Sequence, residues 1–464
     1  DGIAFDQNND VGTPSAYTDL ILYTPIVIGT EDSGGTQPVE GATLPNNITF
    51  TRCCVRVGDN GRYNSGRYGM FVNATNVDIG WCNFSGHKLK ATDPITGQTD
   101  HGAVWLGAVN TVRFHHNYVE AGGERFFIGQ TFGGTPTNVE ICQNLFTFPL
   151  AWIDSIATKN ATECKNAVDL NIHGNIYENV DNYGGDQNLA ILFNLRSEAS
   201  SGSDGDGSIG GPYIKTNALR NIRFRYNILK GAFGGVGVSS IDAEGCANFG
   251  NRGFGPVRVI DISNNLLIDI SSAWVITAYR AYFTVFYGGD MIRISNNTAI
   301  GDMTFAPYMY DSRDTGIHNG IGSTPGYPLG EELGKSNTYK ARFFSMKNNI
   351  MTSVGYGPTN ATAGLTAGAA GWDATVVNRT ESPFTGNVIG LSDDTGVFVD
   401  YGTLTASNTM TSTSSVLTQF VDSSANDYRV KATAPWYGKG VNYAQLKAEL
   451  GRHLCAYLNL PRLV

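Results

Sequence analysis

The sequence predicts an all-β chain: a right-handed parallel β-helix solenoid with three strands per coil, an asparagine ladder, and N- and C-terminal caps. Three observations predict it: a short phrase recurs, its spacing is that of solenoid coils, and the composition is rich in turns and poor in charge. The phrase is a pair of apolar residues two apart, an asparagine three later and an apolar residue two beyond, as in Val112-Arg113-Phe114-His115-His116-Asn117-Tyr118-Val119. It returns around Asn144, Asn175, Asn227, Asn265, Asn297 and Asn349, and Cys53 and Cys82 hold the asparagine slot in earlier copies. Alternation of apolar and polar residues marks a strand with one buried face. Each copy therefore reads as strand, tight turn at the asparagine, strand. Asparagine suits the turn because it tolerates left-handed angles and bonds local backbone.

From Cys53 to Asn349 the spacings are 29, 35, 27, 31, 52, 38, 32 and 52 residues. A constant phrase at variable spacing means a constant core with loops that vary. A third strand per coil is expected at residues 68–72, 103–106, 125–128, 189–193, 236–239 and 274–277. Stacked asparagines should form a ladder, and Ile141 and Phe224 should point into the core. The chain shows no leucine-rich consensus, no tryptophan–aspartate signature and no four-strand period, which disfavours other repeat folds.

The organisation expected is an N-terminal cap over residues 1–46, a β-helix with loop insertions over 47–400, and a closing segment over 401–464. Residues 20–29 read as a buried strand pair covering the open end of the core. Leu446, Leu450, Leu454 and Leu458 are spaced as in a helix, which Gly451 weakens. Residues 199–211, 242–256 and 310–339 read as loops. Asp204 and Asp206 make calcium a candidate cofactor, although the other ligands of a known calcium loop are missing and a solvated turn is the simpler reading.

A globular chain of 464 residues would divide into two or three domains, a limit a solenoid escapes. Charged residues are only 16% and glycines number 57, which fits turns and argues against disorder. The net charge of −9 argues against nucleic acid as partner and against docking on anionic membranes. No apolar run reaches the roughly 18 residues of a membrane span. The chain starts at Asp1 and reads as a mature or trimmed product. Cys53 and Cys82 are expected to stack as buried thiols, because in-register side chains point the same way and tend to keep the Cβ atoms apart; a bridge is the alternative, since strands about 4.8 Å apart bring the Cα atoms within disulfide range. No cysteine spacing suggests a zinc site, and no metal ligands are assigned.

At residues 112–129, 167–196 and 219–238 the chain resembles right-handed parallel β-helix proteins of the pectin-lyase-like superfamily, nearest to secreted bacterial and phage-borne members. The ending Asp427-Tyr428-Arg429-Val430, with Ala434 to Gly440 after it, resembles their usual C-terminal close. The resemblance covers residues 47–440. It implies the fold and a range of activities: polysaccharide lyases, glycoside hydrolases, epimerases, tailspikes and non-enzymatic adhesins share it. It also implies a sugar-binding groove along the first strand of each coil. Aligned strand starts put Arg67, Asp100, His101, Glu124, Arg125, Asp186 and Gln187 near one line, with Asp154 and Arg196 at its margins. A hydrolase would draw two carboxylates from Asp100, Glu124, Asp154 and Asp186. A lyase would use His101 or Arg125 as base and Arg67 or calcium as stabilising cation. Arg67, Asp186, Gln187, Arg196, Tyr279 and Tyr282 are the candidate substrate-binding residues, the tyrosines because rings stack on sugar faces.

Plainer readings stand beside these. Glu124 and Arg125 beside Arg67 can be a salt-bridged ladder, and His101 a structural hydrogen bonder. His115 and His116 are neighbours on a strand, so they should face opposite sides and not share a metal. The aspartate, histidine and arginine–lysine motifs of polygalacturonases and the motifs of pectate lyases are absent, against pectin chemistry. The function expected is recognition of a polysaccharide, with lyase or hydrolase cleavage left open, by an extracellular, secreted or virion-surface protein. The alternative is a structural or adhesive subunit of a phage particle or surface filament. A homo-oligomer, trimer or filament, is the expected assembly.

Overall fold

A computed structural model describes residues 4–7, 26–29, 44–57, 68–88, 101–129, 135–153, 156, 158–181, 189–194, 219–239, 257–271, 274, 281–286, 289–303, 308–310, 341, 343–354, 359–360, 366–376, 378–392 and 402–458. Successive strands visit three sheets in rotation, and among the described residues these sheets hold 12, 11 and 10 strands. Pairing between neighbouring coils is parallel, as in Val112 beside Val139, Leu170, Ile222 and Ile260. The fold is a right-handed parallel β-helix. The strand before each asparagine lies in the ten-stranded sheet, and the strand after it in the twelve-stranded sheet.

The core follows from the phrase. Both anchors before the asparagine and the second residue after it point inward: Phe114, Ile141, Ile172, Phe224, Phe146 and Tyr177 are buried in one continuous cluster. The asparagines form the ladder, through Asn117, Asn144, Asn175, Asn227, Asn265, Asn297, Asn349, Asn387 and, unforeseen, Asn408. Each backbone N–H donates to the Oδ1 of the next asparagine at 2.8–3.0 Å. Each Nδ2 donates to that same Oδ1 and to a carbonyl one coil back, as Asn175 does to Asn227 Oδ1 (3.0 Å) and Ile141 O (2.9 Å). The left-handed residue of the turn is not the asparagine but the one before it: His116 (φ 55°), Gln143 (57°), Tyr226 (54°) and Asn264 (55°), with glycine at Gly174 and Gly386. Cys53 and Cys82 are free thiols, and Cys53 N–H donates to Cys82 Sγ at 3.4 Å.

Third strands lie at Tyr68–Val72, Gly102–Leu106, Phe126–Ile128, Ile191–Asn194 and Val236–Ser239. Of the expected strand at 274–277 only Trp274 is among the described residues; the strand in register with Val236–Ser239 is Phe283–Phe286. Thr162–Cys164 is a strand that alternation did not reveal, because its central residue is Glu163. At the N-terminal end, Ala4–Gln7 and Ile26–Ile28 pair in parallel with Cys54–Val57 and Tyr68–Val72, so they extend two of the sheets. Residues 20–25 lie outside the described residues.

The first residue after most of the asparagines faces outward yet is apolar, Thr298 and Thr409 being the polar exceptions. Leu145, Ile176, Ile228, Leu266, Ile350 and Val388 form a second cluster with Val416, Phe420, Trp436, Leu446, Leu450 and Leu454. The C-terminal segment covers this stripe as a strap along the side of the solenoid. Its contacts run backward through the coils: Gly440 N–H donates to Asn348 O at 2.8 Å, Val441 N–H to Thr298 Oγ1 at 3.0 Å, and Gln143 Nε2 to Glu449 O at 3.0 Å. The helix Tyr443–Tyr457 is capped by Asn442 and broken at Gly451 (φ 72°, ψ 170°).

Replacing Asn175 by Ala strips Asn144 of the acceptor for both its N–H and its Nδ2. The N–H is left buried and unpaired, whereas Nδ2 keeps Phe114 O and Cys142 O, so urea unfolding should show a loss of about 1–3 kcal/mol. A loss below about 1 kcal/mol would mean the ladder is not a major source of stability.

Candidate functional site

Between Tyr68 and Cys164 the eleven-stranded sheet, where the sugar groove was expected, presents a buried outer face. Tyr68, Phe71, Trp105 and Phe127 pack there as an aromatic cluster. Next to it Glu124 accepts from the Tyr68 hydroxyl (2.8 Å) and from the Lys159 ammonium (2.8 Å). Lys159 also lies 3.3 Å from Glu163, which pairs with Lys165. Burial opposes ionisation of Glu163, but Lys165 and Lys159 prevail and hold it well below the usual carboxylate range. This closed ion network resembles the salt-bridged ladder among the plainer readings, with lysine as the cation.

His101 is buried, and its carbonyl accepts from Glu124 N–H at 2.8 Å. Arg125 diverges from Glu124: its guanidinium donates to Glu178 O (2.9 Å) and Asn179 O (2.7 Å), and burial lowers it to about 9. A guanidinium spent on two carbonyls bridges coils and is poorly placed as a base. Tyr282 is a core residue whose hydroxyl donates to Thr352 O at 2.8 Å, so its ring cannot meet a sugar. Arg67, Asp100, Asp154, Asp186, Gln187, Arg196 and Tyr279 lie outside the described residues, as do the 199–211 loop and its aspartates.

The open polar surface is on the ten-stranded sheet. A trough of about 660 Å³ crosses five strands there, lined among others by Asn76, Asp78, Arg113, Asn138, Glu140 and Asn171. These residues come from two positions of each coil. One lies between the two apolar anchors and points outward: Asp78, Arg113, Glu140 and Asn171 are in register. The other is a left-handed position near the strand start, held by Asn47, Asn76, Thr111, Asn138 and Asp169. The first of these was legible, since the residue between two buried anchors must face out.

Ion pairs organise the floor. Arg113 Nε lies 2.9 Å from Glu140 Oε2, and Glu140 Oε1 lies 3.1 Å from His173 Nε2. His173 Nδ1 lies 2.7 Å from Glu449 Oε2 on the C-terminal helix. Burial alone would lower His173, but Cys142, Glu140 and Glu449 raise it to about 10. The His173 hydrogen bond outweighs burial and, with Arg113, holds Glu140 below the ordinary carboxylate range. At the rim, Asp78 Oδ1 lies 3.1 Å from His115 Nε2, and His115 Nδ1 lies 2.8 Å from His116 Nδ1. The two histidines therefore share one side, against expectation, because the left-handed angle at His116 turns its ring back over the face. Burial, then His453, His115 and Arg113, lower His116 to about 4. Trp81, 54% exposed, stacks on His116 at 4.1 Å between centroids.

Comparison with protein-family models gives no match, and comparison with curated proteins gives none. A similar solved structure is the catalytic unit of a thermostable GH87 alpha-1,3-glucanase from Streptomyces thermodiastaticus strain HF3-3. It is 11% identical, with a TM-score of 0.31 over 82% of this chain; the chain spans 50% of that one. No described helix is long and apolar enough to cross a membrane.

Lys159→Met leaves Glu124 and Glu163 buried without the ammonium between them, and urea unfolding should reveal a loss of about 3–5 kcal/mol. A change under about 1 kcal/mol would mean that solvent reaches the pair. His87 supplies a pH test. It is buried, its Nε2 lies 3.3 Å from Val55 O, and burial lowers it from 6.5 to about 4. The unfolded chain therefore takes the proton first as pH falls. Stability from this residue is complete above about pH 6.5 and lost as pH falls through the range to about 4, by about 3 kcal/mol. The difference in unfolding free energy between the wild type and His87→Leu should shrink by that amount across this range, and a pH-independent difference would refute the assignment.

Proposed function

We propose that this β-helix binds a polysaccharide along the outer trough of its ten-stranded sheet. The observation that carries this reading is the trough itself: an open channel across five coils, lined by amide, hydroxyl, carboxylate and guanidinium groups. Such groups are the donors and acceptors that read sugar hydroxyls, and strands about 4.8 Å apart repeat them along the axis. The exposed Trp81 indole at the rim offers a ring for stacking against a sugar face. Glycosidic cleavage would need a protonated carboxylic acid. Glu140 is kept ionised by His173 and Arg113, which favours retention of the chain over its cleavage. The same reading proposes that the protein works outside the cell or on a virion surface, where it would meet such a ligand.

Calorimetry against a panel of neutral and acidic polysaccharides tests the reading, with reducing ends followed in parallel. Arg113→Ala and Asn138→Ala should each weaken binding about tenfold, equal to about 1.4 kcal/mol, with no new reducing ends. Binding that survives both substitutions, or no binding across the panel, would overturn the assignment to this face.

A further inference from the structure

We infer that Glu140, Cys142 and His173 form a zinc site at the foot of the trough, oriented by Glu449 of the C-terminal helix. The inference goes beyond polysaccharide binding and does not depend on it. Glu140 and Cys142 lie two apart on one strand, so both face outward. His173 is the parallel neighbour of Cys142 on the next strand. One donor atom from each of these residues lies within 4.8 Å of the others. His173 Nε2 and Glu140 Oε1 are already 3.1 Å apart. Bonds of about 2.0–2.3 Å in a tetrahedral zinc site imply donor separations of about 3.3–3.8 Å. The three donors thus reach a common centre with side-chain adjustment of about an ångström.

The donor set is the one zinc prefers: a thiolate, an imidazole and a carboxylate. Cys142 is buried, so the site lies against protein on one side, while Glu140 at 39% side-chain exposure opens it to the trough on the other. Three protein donors leave a fourth position for water or a ligand hydroxyl.

The orientation of His173 is an independent sign. A zinc-bound imidazole commonly gives its other N–H to a carboxylate, which sets the tautomer and aims the ring. Glu449 Oε2, 2.7 Å from Nδ1, does this and leaves Nε2 toward Glu140 and Cys142. This carboxylate comes from 276 residues further along the chain, so the site is complete only when the strap is docked. Arg113 takes Glu140 Oε2 and leaves Oε1 for the metal. The metal takes the place of protons on Cys142 and on His173 Nε2, so binding releases protons.

The test is titration of the metal-free full chain with Zn²⁺ alone, by calorimetry, and with Co²⁺ by absorbance. The expected result is one ion per chain and, with Co²⁺, a thiolate charge-transfer band in the near ultraviolet. Cys142→Ser should abolish that band and weaken Zn²⁺ binding at least about a hundredfold, and Glu449→Gln, which touches no metal, should weaken it about 10–100-fold. His453→Ala should bind as the wild type does, which separates this site from the His115, His116 and His453 cluster at the rim. Circular dichroism of each variant checks that it has folded. Folded Cys142→Ser that binds Zn²⁺ like the wild type, or loss of binding in His453→Ala with the cobalt band absent throughout, would overturn the site.

Discussion

The asparagine ladder is the constraint on which the rest depends. Stacked parallel strands hydrogen-bond at about 4.8 Å, but each coil must also turn a corner, where backbone groups lose their sheet partners. The ladder amides satisfy those groups, as Asn144 does by donating to Phe114 O and accepting from Asn117 N–H. Left-handed angles at residues such as His116 and Tyr226, unfavourable by about 1–2 kcal/mol each for side chains other than glycine, persist because the asparagine that follows is fixed in the ladder, and at Tyr226 Asn227 Nδ2 also donates back to Arg225 O at 3.1 Å. Cysteine takes the slot in the first coils, where Cys82 N–H still donates to Asn117 Oδ1 at 2.9 Å.

Once the corner is set, the outward side chains differ sheet by sheet. On the twelve-stranded sheet the stripe next to the ladder is mostly apolar and needs a cover, which the C-terminal strap provides. On the eleven-stranded sheet the outward side chains between Tyr68 and Cys164 are aromatic or ionic and lie buried, with Glu124 and Glu163 neutralised by lysines. On the ten-stranded sheet they are polar and form the open trough. Both the polysaccharide and the zinc proposals rest on this face, because its polar groups stay accessible.

Part of this candidate site was in plain view. Asp78, Arg113, Glu140 and Asn171 stand between the apolar anchors of the recurring phrase, and strand alternation sends them outward. The expected site went to the strand starts of another sheet because Glu124, Arg125 and His101 supplied charge there. Charge in a sequence does not say whether it faces water. Glu124 is closed off by Tyr68 and Lys159, and Arg125 is drawn to carbonyls of a coil about 50 residues away in sequence, with Glu178 O 53 residues on.

What the sequence alone determined is the coil: the anchors, the ladder and the inward register, since alternation and turns are local and each coil repeats them. What only the tertiary structure decided is which outward face is covered, which is sealed and which is open. The decisive contacts join residues such as Gln143 and Glu449, 306 apart, and His173 and Glu449, 276 apart. No periodicity within a coil encodes where a distant strap will lie, and so the cover over the apolar stripe and the aim of His173 emerge only when the chain returns along its own side.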